Sequence, residues 1–504
     1  MKRKSIKLLL IAMFTALTIA LGGCAGDKGS DADSQITIGI AQDIEDSLDP
    51  HKVVAAGTKE VFFNIYEGLV KPDSDGNFIP AVASEVNISE DGGTYTFTLR
   101  EGIKFHDGNL VTVEDIKYSL DRCADTSNGD PLVAAFANIN AVTILDDKTV
   151  EVSLVTPDTE FLANLTTAII PASNTEPEKK AIGTGPYKYV SRAPQENVIL
   201  ESNKDYWGGK PDIDHITLKV CANADSLVMD LNGGSMDMFM RLTSAQVDQL
   251  NGEFEIYEGT MNLVQALYLN NAVTPFDNER VRMALCYALD RKELFDTAFD
   301  GKGSPLGSAM YPSFGKYYVE ELNDAYPTNV EKAKEILAEE GYTDGFTFTI
   351  TVPSNYGPHV DTAQVLVEQL KRIGVTAKIN LVEWDTWLSD VYAGRQYEAT
   401  VIGVDASNLT APSLLGRYVS SAGNNFVNFS SDAYDAAYAK ALAATEDAEK
   451  TKYYKECETI LSQECASVYI QDLAEFVAVR KNFSGYEFYP LYVQDFSKLK
   501  RVKE

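Results

Sequence analysis

Strict alternation of apolar and polar positions predicts β-strands in the first third of the chain. In Thr94–Arg100, the apolar residues Tyr95, Phe97 and Leu99 fall on one face, and threonines fill the other. The preceding stretch Glu90–Gly93 contains glycines that supply the positive φ angles of a tight turn. This pattern predicts a β-hairpin with one buried face.

Apolar residues with helical spacing predict several helices. One begins after Thr112, where Asp115 forms a partial capping box. The other predicted helices cover Glu279–Phe295, Thr328–Glu340, His359–Ile373, Asp432–Ala443 and Ala448–Cys465.

The second half of the chain has an α/β pattern. Phe346–Val352 and Val375–Leu381 alternate as strands on either side of the helix His359–Ile373. Gly374 closes that helix as the residue after its C-cap. A strand, a helix and a strand in this order predict a parallel pair with a right-handed crossover.

Residues 1–23 have the pattern of a secretory signal peptide. Lys2, Arg3 and Lys4 form a basic start, and no charged residue occurs from Leu8 to Gly23. This apolar run is shorter than the roughly 20 residues that a membrane-spanning helix needs. We therefore expect export of the chain rather than a transmembrane anchor.

The sequence Leu21-Gly22-Gly23-Cys24 resembles the lipobox of bacterial lipoproteins, in which the cysteine is diacylated and becomes the new N-terminus. The resemblance implies lipidation of Cys24 and anchoring of the mature protein to the outer face of the cell membrane. Residues 24–35 are rich in Gly, Ser, Ala and Asp, which predicts a flexible tether.

Composition indicates a folded, acidic body. The residues are 45% hydrophobic and 23% charged, as in a folded protein, and a length of 504 residues allows two or three domains. The 74 acidic and 44 basic residues give a net charge of −30, so a nucleic-acid partner is not expected. Beyond Cys24 the number of cysteines is odd, which predicts at least one free thiol; they are Cys123, Cys221, Cys286, Cys457 and Cys465.

Sequence motifs of enzymes are scarce. The chain has no HExxH metal motif, no GxSxG nucleophile turn and no phosphate-binding GxxxxGK[ST] loop. Its four histidines are widely spaced; they are His51, His106, His215 and His359. We predict a binding protein without catalytic activity, cofactor or metal.

Several phrases resemble the solute-binding proteins of peptide and nickel ABC importers, known as extracellular solute-binding family 5. The longest runs from Ile79-Pro80-Ala81 through the strand Thr94–Arg100 to Phe105-His106-Asp107-Gly108. Others keep the family's order, and the likeness covers essentially the whole mature chain: Ser47–Pro50, Val61–Val70, Gly183–Tyr187, Asn203–Trp207, Phe276–Arg282 and Lys332–Leu337.

The resemblance implies an α/β, periplasmic-binding-protein-like class II clamp of two lobes with a hinge and an extra inserted domain. Domain I is expected to combine residues 36–64, 185–272 and 478–504. Domain II, the insertion, is expected at 65–184, and domain III at 273–477. Such a protein closes on its solute, is expected to be a monomer, and delivers the solute to permease subunits in the membrane.

The resemblance also implies where the ligand binds. In peptide-binding relatives, an Asp in the third domain pairs with the peptide's α-ammonium, and backbone groups bind the extended ligand as an added strand. The corresponding stretch here is Val404, Asp405, Ala406, Ser407 and Asn408, in which the family's Trp is absent. By position the Asp slot lies closer to Ser407, so either Asp405 takes the role or the ammonium anchor is missing.

Two further segments are candidates for ligand contact. Ala55, Ala56 and Gly57 match a loop that contacts the ligand backbone in relatives, and their small side chains permit close approach. Trp384 and Trp387 are candidate ligand-binding residues of the cleft, with core packing as the alternative; the resemblance implies an aromatic residue near the ligand at the Trp384 position.

The predicted cargo is a dipeptide or oligopeptide. Alternatives are the same clamp binding a sugar or a nickel chelate, a sensor or chaperone without transport, and a hydrolase. Four scattered histidines disfavour nickel, and three tryptophans are fewer than expected for an oligosaccharide site.

Overall fold

The computed structural model describes residues 35–53, 55–127, 129, 131–221, 224–406, 408–444 and 446–502. The predicted signal peptide at 1–23, Cys24 and nearly all of the predicted tether at 24–35 lie outside these residues. Within the described ranges, no helix combines the length and apolar character needed to cross a membrane.

A seven-stranded mixed sheet contains the first strand, Gln35–Ile40. This strand pairs in parallel with a strand on each side. Across the sheet the order is Phe254–Thr260, Ala474–Arg480, Met238–Leu242, Gln35–Ile40, His215–Val220, Asn197–Ser202 and Tyr187–Ala193.

A six-stranded sheet contains the predicted strand–helix–strand unit. Thr347–Pro353 and Thr376–Val382 pair in parallel, and the helix Gly357–Lys371 connects them. This confirms the predicted parallel pair. Gly374 follows the helix with φ of 82°, as expected for its termination. The sheet order is Ser304–Pro305, Ser467–Asp472, Leu263–Leu269, Ala399–Asp405, Thr347–Pro353 and Thr376–Val382.

A four-stranded antiparallel sheet contains the predicted hairpin. Thr94–Leu99 pairs with Ala83–Ile88, and Tyr95, Phe97 and Leu99 are buried as the alternation predicts. The sheet order is Ala83–Ile88, Thr94–Leu99, Thr149–Leu154 and Ile139–Ile144. Two short two-stranded pairs are Val70–Pro72 with Phe78–Pro80, and Phe483–Ser484 with Lys500–Arg501.

Helices cover the sheets and connect their strands. The α-helices are Ala56–Phe62, Val113–Ala124, Ala224–Asn232, Ser244–Val247, Glu279–Ala288, Arg291–Ala298, Val330–Glu339, Gly357–Lys371, Trp384–Thr386, Ala411–Leu415, Asp432–Ala443 and Asp447–Gln463. Short 3-10 turns are Ala134–Asn138, Phe161–Thr166, Pro312–Tyr317, Glu320–Asp324, Gly416–Tyr418 and Phe496–Lys498, and Trp387–Ala393 is a π-helical turn.

Local sequence signals decide where several of these helices begin. Thr112 caps Val113–Ala124, and Asp115 completes the capping box that the sequence predicted. The single helix predicted over Glu279–Phe295 is wrong, because two helices occur there. Asp290 interrupts it and caps Arg291–Ala298 by accepting a hydrogen bond from the backbone N–H of Glu293 at 2.9 Å.

The seven-stranded and six-stranded sheets are joined by two closely spaced chain crossings. The chain passes from Phe254–Thr260 to Leu263–Leu269, and returns from Ser467–Asp472 to Ala474–Arg480. The crossings touch, since the Met261 N–H donates to the Leu473 carbonyl at 2.9 Å. Two short adjacent crossings are the geometry of a hinge.

The sheets bear on the proposed domain boundaries. Leu263–Leu269 belongs to the six-stranded sheet, although it precedes the predicted boundary at residue 272. Ala474–Arg480 belongs to the seven-stranded sheet, although it begins before the predicted boundary at 477. We propose that the boundaries between domains I and III lie at the two crossings, after Thr260 and after Asp472.

Candidate functional site

The segment after strand Ala399–Asp405 lies at one crossing. Asp405 pairs in register with Leu263, the first residue beyond the crossing. Its side chain is exposed, and no described side chain forms an ion pair with it. Val404 is half-buried, Ala406 is buried, and Ser407 lies outside the described residues.

A buried histidine positions this strand. His359 accepts a hydrogen bond from the Gly403 N–H at 3.1 Å through Nε2, and its Nδ1 contacts the Gln265 amide nitrogen at 2.8 Å. Burial lowers the pKa of His359 to about 3, so the ring is neutral at physiological pH. His359 therefore fixes the backbone that leads to Asp405.

Three aromatic side chains pack together beside this segment. The rings of Trp384 and Trp387 are stacked with centroids 5.2 Å apart, and Tyr356 meets Trp384 edge to face at 5.2 Å. Trp384 is half-buried. Trp387 is 4% exposed, and its indole N–H donates to the Thr400 hydroxyl at 3.0 Å. Trp387 thus belongs to the core and supports Trp384.

The candidate segment Ala55, Ala56 and Gly57 forms the start of helix Ala56–Phe62 in the other lobe. All three residues are half-buried. A Cβ placed on Gly57 would meet no atom within 4 Å. The fold itself therefore leaves room beside this glycine.

A charged cluster that was not predicted from the sequence joins Glu60 of the same helix to Arg241 and Glu475 of two strands. Glu60 is 5% exposed and forms a bidentate ion pair with Arg241, whose guanidinium also lies 4.0 Å from the ring centroid of Tyr492. Glu475 lies nearby, and burial raises its pKa to about 7. Buried Arg241 Nε and Glu475 Oε1 have no hydrogen-bond partner among the described residues.

One signal in the sequence could have indicated this cluster. Arg241 and Glu475 each lie in a mostly apolar strand, and a charged residue is seldom buried unless it is paired. Arg241 also has φ of 60°, which is uncommon for a residue with a side chain and is concentrated at functional sites.

Charged residues from both lobes act electrostatically on Tyr356. Burial raises the pKa of Tyr356; the positive charge of Arg241 opposes this rise, and the negative charge of Asp405 adds to it. Tyr356 therefore lies within electrostatic reach of a cation from one lobe and a carboxylate from the other. A group that bridges the lobes here would meet both charges.

Asn408 contacts the unit that is built on the four-stranded sheet. Its amide nitrogen donates to the Asn164 side-chain oxygen at 3.2 Å, and its own oxygen accepts from the Thr410 hydroxyl at 2.7 Å. Asn164 belongs to the 3-10 turn Phe161–Thr166, far from Asn408 in sequence. The structure thus places Asn408 at a contact between lobes.

His106, in the family-like phrase before Thr112, has a structural role. Its Nδ1 accepts a hydrogen bond from the Gly183 N–H at 3.3 Å, and its Nε2 contacts the Gly185 carbonyl at 3.0 Å. Burial lowers the pKa of His106 to about 4. Within the described ranges, no group of three or more His, Cys, Asp or Glu residues could hold a metal ion.

Comparison with known proteins gives the family. The sequence model for "Bacterial extracellular solute-binding proteins, family 5 Middle" matches residues 77–426. The chain belongs to this family. It is therefore a solute-binding protein with the two-lobe clamp fold of such proteins, as the sequence resemblance predicted.

Relatives of known name support the same conclusion. The chain is 28% identical over 465 residues to the glutathione-binding protein GsiB of Pectobacterium atrosepticum, covering 88% of this chain and 90% of that protein. The GsiB of Escherichia coli K12 is 29% identical over 464 residues, with the same coverage of both proteins.

Solved structures of other solute-binding proteins show the same fold. DppA of Helicobacter pylori, in complex with the peptide STSA, has a TM-score of 0.81 at 25% identity, covering 93% of this chain and 98% of that chain. AgaA of A. tumefaciens, in complex with agropinic acid, has a TM-score of 0.80 at 26% identity, with coverage of 93% and 99%. These relatives, GsiB, DppA and AgaA, bind glutathione, a peptide and agropinic acid, respectively.

Proposed function

We propose that this protein is the lipid-anchored peptide-binding component of an ABC importer, which captures a dipeptide or oligopeptide between two lobes and delivers it to a membrane permease. The lipid anchor follows from the lipobox-like Leu21–Cys24. The peptide class is supported by the relatives that bind glutathione and the peptide STSA.

The observation that carries the peptide proposal is the exposed carboxylate of Asp405. It stands at the end of strand Ala399–Asp405, beside the crossing and without an ionic partner among the described side chains. An ammonium taken from water into a closed cleft needs such a partner, because an unpaired buried charge is costly. We propose that Asp405 binds the α-ammonium of the peptide.

The other candidates take supporting roles in this proposal. The open space beside Gly57 accommodates the ligand backbone, and the half-buried Trp384, backed by Trp387, provides an apolar wall. Agropinic acid in the related AgaA structure gives the second candidate, a modified amino-acid derivative rather than a peptide.

Native mass spectrometry of the purified mature protein, followed by calorimetry with a peptide library, would identify the ligand. We expect Asp405→Asn to weaken binding of free-amine peptides by about tenfold to a hundredfold, since a charge-assisted hydrogen bond contributes roughly 1.5–3 kcal/mol. N-acetylated peptides, which lack the ammonium, should lose much less.

Asp344→Asn is the matched control, because Asp344 is also exposed but lies in the loop before strand Thr347–Pro353. Equal losses for free and acetylated peptides would reject the role of Asp405. Retention of an agropinic-acid-like compound, with no peptide bound, would favour the second candidate.

A further inference from the structure

Lys450 is a buried cation outside the proposed ligand site. It lies in the first turn of helix Asp447–Gln463, and its side chain is only 4% exposed. Its ammonium donates to the Thr159 hydroxyl at 3.0 Å and lies 3.6 Å from Asp158 Oδ1 and 3.9 Å from Glu160 Oε2. A lysine this buried requires such partners.

The two sides of this contact belong to different hydrophobic cores. Residues 158–160 lead into the 3-10 turn Phe161–Thr166, whose Phe161 and Leu165 pack in the core of the four-stranded sheet. The helix of Lys450 packs through Tyr454 and Leu461 in a core of the six-stranded sheet. The contact therefore joins two separately packed units and would be lost if they moved apart.

The unit of the four-stranded sheet is tied instead to the seven-stranded sheet. Arg122 of that unit forms a bidentate ion pair with Asp49, and the His51 ring contacts the Ala168 carbonyl at 2.7 Å. Rotation at the two crossings would carry this combined lobe away from the six-stranded sheet. The Lys450 contact would then open.

Glu160 depends on the contact for its burial. The Tyr317 hydroxyl donates to Glu160 Oε1 at 2.7 Å, so a second residue of the six-stranded unit also contacts this carboxylate. Burial raises the pKa of Glu160, while the Tyr317 hydrogen bond and the charge of Lys450 lower it. Without Lys450, closure would bury Glu160 without the ammonium that lies 3.9 Å from its carboxylate.

We propose that Lys450, with Asp158 and Glu160, is a latch that holds the two lobes closed and thereby sets the affinity for solute; this rests on the proposed clamp function. A solute that binds only the closed form has an apparent dissociation constant inversely proportional to the closed fraction. A contact made only in the closed form raises that fraction.

The effect of mutation follows from the physics of buried ion pairs. Removing one partner leaves an unpaired buried charge, which is costly, whereas removing both is often close to neutral. Lys450→Met should therefore disfavour closure, and adding Glu160→Gln should recover much of the loss. Tyr317 can still donate to the glutamine oxygen.

A cross-link across the lobes measures closure without any ligand. The Asn164 and Asn408 side chains are in contact across the lobes, so the pair Asn164→Cys and Asn408→Cys can form a disulfide only in the closed form. With 2,2′-dithiodipyridine as oxidant, which is not a peptide, the initial cross-linking rate of the ligand-free protein reports the closed fraction. Intact mass and thiol titration follow the reaction.

We expect Lys450→Met in this background to slow cross-linking by about tenfold. The control Lys452→Met removes an exposed lysine of the same helix and should leave the rate unchanged. The double variant with Glu160→Gln should recover most of the rate. Equal rates for Lys450→Met and Lys452→Met would overturn the proposal, and a double variant as slow as Lys450→Met would reject the role assigned to Glu160.

The readout separates this proposal from the identity of the cargo. If no peptide binds but Lys450→Met still slows cross-linking, the latch stands and the peptide assignment fails. If peptides bind with unchanged affinity and unchanged cross-linking in Lys450→Met, the latch fails and the peptide assignment stands.

Discussion

Individual residues at the cleft differ in whether their polar groups and the space beside them are already occupied within the fold. The Trp387 indole is buried and bonded to Thr400, so its hydrogen-bonding capacity is spent on the core. Asp405 is exposed without an ion pair among the described side chains, and Gly57 borders open space. A ligand can reach residues such as Asp405 and Gly57, whose polar group or neighbouring space is not occupied within the fold.

Gly57 gives a prediction at this scale. Gly57→Ala should stabilise the protein by about 0.5–1 kcal/mol, because alanine favours a helix and no atom obstructs the new Cβ. Gly57→Leu should keep the fold but weaken ligand binding at least about tenfold, since its side chain occupies the proposed ligand space. Thermal unfolding and calorimetry measure the two effects.

Gly252→Leu is the matched control, because a Cβ at Gly252 also meets no atom within 4 Å and this exposed glycine lies away from the cleft. If Gly57→Leu and Gly252→Leu bind ligand equally well, the space beside Gly57 is not part of the site.

Among the secondary-structure elements, the strand ends at the crossings carry buried carboxylates. Asp472 ends strand Ser467–Asp472, and one of its oxygens accepts a hydrogen bond from the Leu263 N–H at 3.1 Å. Its other oxygen has no partner among the described residues. Burial raises the pKa of Asp472 to about 7 from an ordinary value of 3.8.

This raised pKa predicts a pH-dependent stability. Between about pH 4 and pH 7 the folded protein holds a proton on Asp472 that the unfolded chain has released, so this residue's contribution to stability falls as pH rises through that window. Asp472→Asn cannot ionise. We expect it to exceed the wild type in stability at pH 8 by about 1–3 kcal/mol, with the advantage shrinking toward pH 4.

Urea unfolding at several pH values measures this difference, with the exposed Asp344→Asn as control. An advantage of Asp472→Asn that is constant across pH would contradict ionisation of Asp472 as its cause.

At the scale of the whole molecule, two short crossings join the seven-stranded and six-stranded sheets, and the unit of the four-stranded sheet is tied to the seven-stranded sheet. A clamp of this kind should close on its solute. We expect the radius of gyration from small-angle scattering to fall when the identified ligand binds. At about 100 times its dissociation constant, the ligand should also raise the free energy of unfolding by roughly 2.7 kcal/mol. A scattering profile unchanged at saturation would contradict closure.

Much of the fold was predictable because it depends on local sequence. Alternation placed the buried face of Thr94–Leu99, and helical spacing with Gly374 gave the parallel strand–helix–strand unit. The division of Glu279–Phe295 into two helices was missed, because the apolar pattern continues through Asp290 and its side chain acts as a cap instead of a helix-interior residue.

The sequence by itself determined the family and most of the α/β elements, since these depend on periodicity and on short contiguous phrases. Only the tertiary structure decided that Glu60, Arg241 and Glu475 form one cluster, that Trp387 is a core residue, and that Lys450 contacts residues 158–160. The charged contacts join positions far apart in the sequence, 181 residues for Glu60 and Arg241 and 291 for Thr159 and Lys450. Their charges are compensated by partners that no local pattern identifies.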